Sequence, residues 1–591
     1  MNERPLRTAS RFAPGASRSF GPGSWMIAVS LSCSLAGCTE RSAGPPAVAD
    51  GRTDPNRAAS SSATQIRFHD RTPGSGVNFT YRTGAESGRA LIPETLGGGC
   101  GVADVDRDGN LDLVFPGGGH FDVSGEPVAG ELALFLQTGP WTYVDVTQAS
   151  GLGVSRHYTH GIAIGDFDAD GFPDLLFTGY GGLQFYRNAG DGTFADQTEE
   201  AGLADKLWST SAAWGDLNQD GHLDFFVCHY VNWSVHNNPD CPGTKAGVAE
   251  VCPPRPFQGL PDSLFLSTGD GTFRDVSQEC GLRRDGKGLG VLLADFDGDR
   301  DLDIFVANDT VPNHLYRNLG SATSSIVRFE EIGVESGTAL NEMGTPNGSM
   351  GAAVLDFDAD GRPDIWVSAF EFESPALYRN EGDLTFLHVS NKVGIASGSS
   401  SFVGFGTVAG DFDADGDEDV LVANGHILRN PAQGSARQPC HVFENLGDKT
   451  FRNVVRDAGT CLGEPRLGRG LAKGDLDGDG DWDVVLSPSD GPVRLFENVT
   501  RAGRGIRLRL VGRRSPRDGQ GASVSVKSAG VERRYVVYAG ESYLSSAVTG
   551  LFCGIPGDAG PATLRIDWPA GSSQVISGVV AGSDLTVVEP D

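Results

Sequence analysis

Short apolar runs, not helical periods, set the rhythm of this chain. The runs LDLVF (111–115), PDLLF (173–177), LDFFV (223–227), LDIFV (302–306), PDIWV (363–367), EDVLV (418–422) and WDVVL (482–486) are rich in β-branched and aromatic residues. Their length and their Gly, Asp and Asn borders predict buried strands. Each is preceded by small and apolar residues, as in Gly161-Ile162-Ala163-Ile164-Gly165. Each is followed by a second apolar segment ending on polar residues: FLQT, FYRN, FLST, LYRN, LYRN, VFEN and LFEN. An aromatic start of the form F-x-D-x-[TS], looser at Phe329, Phe386 and Phe451, recurs at Phe68, Tyr143, Phe194, Phe273, Phe329, Phe386 and Phe451. Gly190-Asp191-Gly192 and Gly269-Asp270-Gly271 mark hairpin tips. Units of roughly 50 to 64 residues with about four strands each predict propeller blades. The expected fold is all-β: a seven-bladed β-propeller over residues 66–500, then a small β-rich C-terminal domain over 501–591. The strand at Phe68 is expected to complete the last blade and remove its exposed edge.

Just before every buried strand stands D-x-[DN]-x-D-G-x-x-D, starting at Asp104, Asp166, Asp216, Asp295, Asp356, Asp411 and Asp475. Such a loop fits calcium, a hard cation wanting about six to eight oxygens in flexible geometry. Positions 1, 3, 5 and 9 supply side-chain oxygens and position 7 a backbone carbonyl. The predicted ligands are Asp104, Asp106, Asp108, Asn110 and Asp112; Asp166, Asp168, Asp170, Phe172 and Asp174; and Asp216, Asn218, Asp220, His222 and Asp224. They continue as Asp295, Asp297, Asp299, Asp301 and Asp303, then Asp356, Asp358, Asp360, Arg362 and Asp364. The last two sets are Asp411, Asp413, Asp415, Asp417 and Asp419, then Asp475, Asp477, Asp479, Asp481 and Asp483. Glycine at position 6 permits a positive φ. An EF-hand would need Glu at position 12, where this chain has Phe115, Phe177, Val227, Val306, Val367, Val422 and Leu486. Two loops depart: Arg300 replaces the glycine, at a cost of about 1 kcal/mol of backbone strain, and Asn218 removes one charge. Up to seven structural Ca²⁺ are expected.

The composition changes meaning once these loops are seen. The 591 residues carry a net charge of −30, which argues against a nucleic-acid partner. The seven nine-residue windows hold 31 acidic residues and three arginines; subtracting them from 77 acids and 47 bases leaves 46 against 44. The acidity is therefore a property of the loops.

The N-terminus has Arg4, Arg7, Arg11 and Arg18 before an apolar run from Trp25 to Gly37, the pattern of a signal-peptide h-region. Leu35-Ala36-Gly37-Cys38 resembles a bacterial lipobox. Residues 1–38 are thus expected to be a lipoprotein signal peptide with Cys38 lipidated, and 39–65, rich in Ala, Ser, Pro and Arg, a flexible tether. The predicted location is exported and membrane-anchored, periplasmic or cell-surface, with membrane contact only through Cys38. Ten cysteines without a CxxC fit an exported chain better than a zinc site. Cys241 and Cys252 flank a Pro- and Gly-bearing insertion and are expected to form a disulfide.

The repeats resemble the FG-GAP/VCBS repeats of integrin-like propellers. The excursion at about 229–261, with Cys252-Pro253-Pro254-Arg255-Pro256-Phe257, is similar to the insertion of the cartilage acidic protein (ASPIC/UnbV) family. So are Gly519-Gln520-Gly521-Ala522, Gly540-Glu541-Ser542-Tyr543-Leu544-Ser545-Ser546, Trp568-Pro569-Ala570-Gly571 and Val588-Glu589-Pro590, which resemble its C-terminal module. The resemblance covers residues 66–591 and implies a secreted or surface calcium-binding propeller without implying its ligand.

Three functions remain open. The first is a non-enzymatic interaction or adhesion module of the cell envelope, its unknown protein or glycan partner meeting the ring face and the insertion. The second is a glycan-binding propeller with Trp208, Trp214, Trp233 and Trp366 as candidate platforms. The third is a carbohydrate-active or redox enzyme with a metal at the ring centre. No catalytic residue is assigned: HExxH and GxSxG are absent, and His157, His160, His229 and His236 read as structural or loop histidines. The basic cluster Arg507 to Arg517 reads as a solvated strand face, or as a contact for an acidic polymer or lipid headgroups.

Overall fold

The computed structural model describes residues 66–591 apart from 244–248, 321–326, 501–504, Thr549 and 556–559. The leader, Cys38 and the tether lie outside the described residues. Seven antiparallel sheets built on a four-strand plan follow one another along the chain. Their inner strands are Gly101–Ala103, Tyr158–Gly165, Ser209–Gly215, Gly288–Ala294, Ala352–Leu355, Gly404–Gly410 and Gly468–Gly474. Each touches the next, and the last touches the first, so the sheets close a ring. The second strands are the apolar runs, and all of them are buried end to end except for Tyr180.

The sequence repeat and the blade are offset by one strand. The aromatic start is the outer strand of the preceding blade: Phe194–Asp196 pairs with Gly182–Asn188, and Phe68–Asp70 pairs with Arg494–Asn498. The N-terminal strand thus completes the seventh blade, as expected, and joins the two ends of the ring without leaving a bare edge.

The C-terminal domain packs two sheets around Val524, Leu564, Ile566 and Trp568. It also does something the sequence did not announce. Residues 538–548 leave the domain and enter the axis of the ring. Ala539 exchanges backbone bonds with Leu293 at 2.7 and 3.0 Å, and Ser542 with Ala352 at 2.7 and 3.1 Å. Ser546–Val548 then pairs in parallel with Gly101–Ala103. The Tyr543 hydroxyl reaches the Leu96 carbonyl, 2.8 Å away. Close approach requires glycine at Gly540, which has φ +73° and would place a Cβ 2.3 Å from the Val291 oxygen.

Candidate metal centres

Each acidic loop is the hairpin between an inner and a second strand, so all seven lie on one face of the ring. The hairpin turns through two left-handed residues. Position 6 has φ between +79° and +98° in all seven, including Arg300 at +79°. Position 4 is also left-handed, at Arg107, Ala169, Gln219, Gly298, Ala359, Ala414 and Gly478. Sequence reasoning identified the first of these requirements and missed the second, because five of the seven residues there are not glycine.

The carboxylates brace the turn before they meet any ion. In six loops the first aspartate accepts the position-6 N–H, for example Gly171 to Asp166 at 2.7 Å and Gly416 to Asp411 at 2.9 Å. In all seven the fifth accepts the position-7 N–H, at 2.8 to 3.3 Å. The ninth is buried and accepts two backbone N–H bonds: Asp364 takes Phe357 at 3.1 Å and Asn380 at 2.7 Å. That aspartate therefore ties its loop to the third strand of its own blade, with lone pairs to spare.

What remains unspent points to a cation. Asp104 Oδ1, Asp166 Oδ1, Asp358 Oδ1, Asp413 Oδ1 and Asp481 Oδ1 are buried without a hydrogen-bond partner, a costly state for a carboxylate. In at least five loops three carboxylates present oxygens within 4.8 Å of one another, a span that one cation at about 2.3–2.6 Å from each would bridge. Burial, with neighbouring carboxylates adding to it, raises every first-position acid: Asp166 to about 7, and Asp216, Asp295 and Asp356 to about 6. Asp481, expected to offer only its carbonyl, also has a buried carboxylate, pushed up to about 9 by burial and by Asp479, Asp477 and Asp475. The donor set is all oxygen and suits calcium.

The other sequence candidates fall elsewhere. Trp208, Trp214, Trp233 and Trp366 are at most 4% exposed, so none is a platform for a sugar ring. Residues 538–548 occupy the ring axis, bonded to its inner strands where a central metal would sit. At the loop end of the axis a cavity of about 160 Å³ remains, where Lys473 Nζ lies 2.9 Å from Glu541 and over the Trp482 ring. His160 is buried against the Tyr81 hydroxyl at 3.1 Å and His229 against Asp205 at 2.7 Å. The His157 ring meets the Leu183 carbonyl at 2.8 Å, whereas His236 lies in the short helix Val235–Asn237 of the insertion. Cys241 and Cys252 are bonded as expected. Their insertion joins the second and third strands of blade three, at the end of the ring opposite the loops, so ring face and insertion do not form one surface.

The arginine cluster divides: Arg509, Arg513 and Arg514 are exposed, as a solvated face requires, whereas Arg507 and Arg517 turn to the acidic loops. Arg507 Nη1 stands 2.6 Å from Asp475 Oδ2, and Arg517 Nε 3.8 Å from Asp166 Oδ2. Arg533 and Arg534 donate to the Gly416 and Gly361 carbonyls at 3.0 and 3.2 Å. Arg507, Arg517, Arg533 and Arg534 of the C-terminal domain thus meet the chain's own acidic loops.

Comparison with known proteins follows the same division. Residues 166–227, 259–306, 295–367 and 356–422 match the FG-GAP-like repeat, and 512–591 match the ASPIC and UnbV domain. Cartilage acidic protein 1 of Mus musculus is 24% identical over 524 residues, 84% of this chain and 74% of that protein. The Xenopus tropicalis protein of that name is also 24% identical, over 522 residues, 84% of this chain and 73% of its own length. Among solved structures, an Agrocybe aegerita lectin, described as recognising non-reducing terminal N-acetylglucosamine, covers 67% of this chain and 87% of its own at 16% identity, with a TM-score of 0.37.

Proposed function

We propose that this chain, which carries FG-GAP repeats and an ASPIC/UnbV domain and is related to cartilage acidic protein, is an exported calcium-binding interaction module. The observation that carries the reading is the sevenfold acidic hairpin on one face, with buried carboxylate oxygens left unpartnered in five of the loops. Calcium there is structural: it neutralises acids that would otherwise repel across each turn. The C-terminal domain sits on that face, so the partner surface we assign is the opposite one, which bears the disulfide-closed insertion. A protein or glycan of the cell envelope is the partner class, and lipidation at Cys38 is the proposed anchor. Buried tryptophans and an occupied axis favour this module over a sugar-stacking lectin or a ring-centre enzyme.

The test is a thermal melt of the purified chain with chelator and with calcium. An ion that binds only the folded state stabilises it by mass action, by about 1.4 kcal/mol per site at ten times Kd. Calcium is expected to raise Tm and chelation to lower it; a melt indifferent to both sinks the calcium reading. A calcium-dependent pull-down from envelope fractions then addresses the partner.

A further inference from the structure

The seven loops share one geometry but not one electrostatic setting. In loop 2, Arg187 Nη2 stands 2.5 Å from Asp168 Oδ2 and 3.8 Å from Asp170 Oδ2. In loop 4, Arg317 Nε stands 3.8 Å from Asp297 Oδ2. In loop 5, Lys449 Nζ is 3.0 Å from Asp358 Oδ2 and Arg362 pairs with Asp360. In loop 7, Arg507 of the C-terminal domain holds Asp475. Each of these cations sits on a carboxylate that a calcium ion would use.

Loops 1 and 6 differ. Among the described residues, no lysine or arginine lies within 4 Å of the carboxylates of Asp104, Asp106 and Asp108, or of Asp411, Asp413 and Asp415; Arg533 meets loop 6 at its seventh position, 2.7 Å from the carboxylate of Asp417, a residue expected to offer the ion its backbone carbonyl. The cause is visible in the sequence. Arg187 and Arg317 occupy the third-strand position just before the Asn that ends it, where blade one has Leu136 and blade six has Glu444. Glu444 is itself paired with Arg452. Loop 6 is also deeply buried, with Asp411 2% and Asp413 5% exposed, and Asp413 Oδ1 faces no donor. Loop 3 has no such cation either, but Asn218 leaves it one carboxylate short.

We infer that the seven loops form two classes of calcium site, loops 1 and 6 filling first and loops 2, 4, 5 and 7 filling only at higher calcium, because there the ion must displace a resident guanidinium or ammonium. This rests on the calcium reading above and orders the sites within it. The two cations compete for the same oxygens, and where water is partly excluded that competition is stronger than at a surface. An affinity gap of about tenfold or more follows.

Isothermal calcium titration of the whole chain tests this, with circular dichroism as the control for folding. The wild type is expected to take up calcium in two phases. Asp413→Asn should remove one site from the tight phase, whereas Asp358→Asn should leave that phase unchanged. Arg187→Gln, at a side chain 44% exposed, should move loop 2 toward the tight phase by about tenfold in affinity. It decides the question even if Asp413→Asn fails to fold. Uptake in one phase, or no gain from Arg187→Gln, overturns the two classes but leaves calcium binding standing. No uptake by the wild type sinks the calcium reading itself.

Discussion

The asparagine that ends the third strand shows how one residue type builds a ring. In LYRN of blade five, the Asn380 backbone N–H meets Asp364, and its carboxamide donates to the Phe296 carbonyl of the previous loop at 2.8 Å. Asn188, Asn318, Asn445 and Asn498 do the same to Val105, Leu217, Phe357 and Phe412 at 2.8 to 3.0 Å. Gln137, longer by one methylene, makes the equivalent bond to Leu476 at 2.5 Å and so links blade one to blade seven. Blade three has Ser267 instead, whose hydroxyl is turned to its own Gly269 N–H at 3.3 Å. A buried carbonyl that loses its donor costs about 1–3 kcal/mol. Asn380→Ser is therefore expected to destabilise by that amount in urea unfolding, and Ser267→Asn to stabilise by about 1 kcal/mol through a bond to Phe167. If both substitutions are neutral, these amides are not what joins the blades.

At the scale of the element, the acidic hairpins make stability depend on pH in a direction that bound calcium would reverse. Without the ion, burial raises Asp166 to about 7 and Asp216, Asp295 and Asp356 to about 6, from an ordinary value of 3.8. Between those values these acids hold more protons in the folded chain than in the unfolded one, so their contribution to stability falls as pH rises from about 4 to 7, opposed by the smaller set of buried histidines His160, His314 and His441, lowered to about 3 to 4. Calcium needs the ionised acids, so its stabilisation grows over the same range. The calcium-free Tm should be higher near pH 5 than near pH 7.5, and the Tm gain from calcium should be larger at pH 7.5. A calcium-free Tm that climbs over that interval contradicts the burial of these acids. The hairpins are also where the sequence was most legible. Apolar runs such as LDIFV, the nine-residue acid pattern and the strand at Phe68 each carry a local signal, and blades, loops and ring closure followed from them. The left-handed turn at position 4 was not legible, since Arg107 and Gln219 carry no mark of φ. Nor was the burial of Trp208 and Trp233, which pack on residues distant in sequence.

For the whole molecule, the axial segment makes propeller and C-terminal domain a single cooperative body. The Ser542 hydroxyl accepts the Thr407 N–H at 3.1 Å, and Leu544 donates to Ser211 Oγ at 3.0 Å. Ile162 and Ile164 meet Leu544 and Ser546 at 3.1 Å each. Glu541 accepts from Ala409 at 3.0 Å and from Lys473 at 2.9 Å. With Leu293, Ala352 and Cys100, every blade has a bond to this one excursion. These contacts join residues up to 447 positions apart, which is why a motif read as Gly-Glu-Ser-Tyr-Leu-Ser-Ser gave no hint of its place. Because the segment is bonded to all seven inner strands, neither domain can open without breaking contacts in the other, so calorimetry of the calcium-loaded chain should show one transition. Gly540→Val strikes the coupling at one position, since a β-branched residue there meets the positive φ, the Val291 carbonyl and the Ala213 side chain. It is expected to lower Tm and split the melt, with the C-terminal domain released first. Two transitions in the wild type, or an unchanged single transition in Gly540→Val, would show that the axial segment rides on the ring instead of holding it to its neighbour.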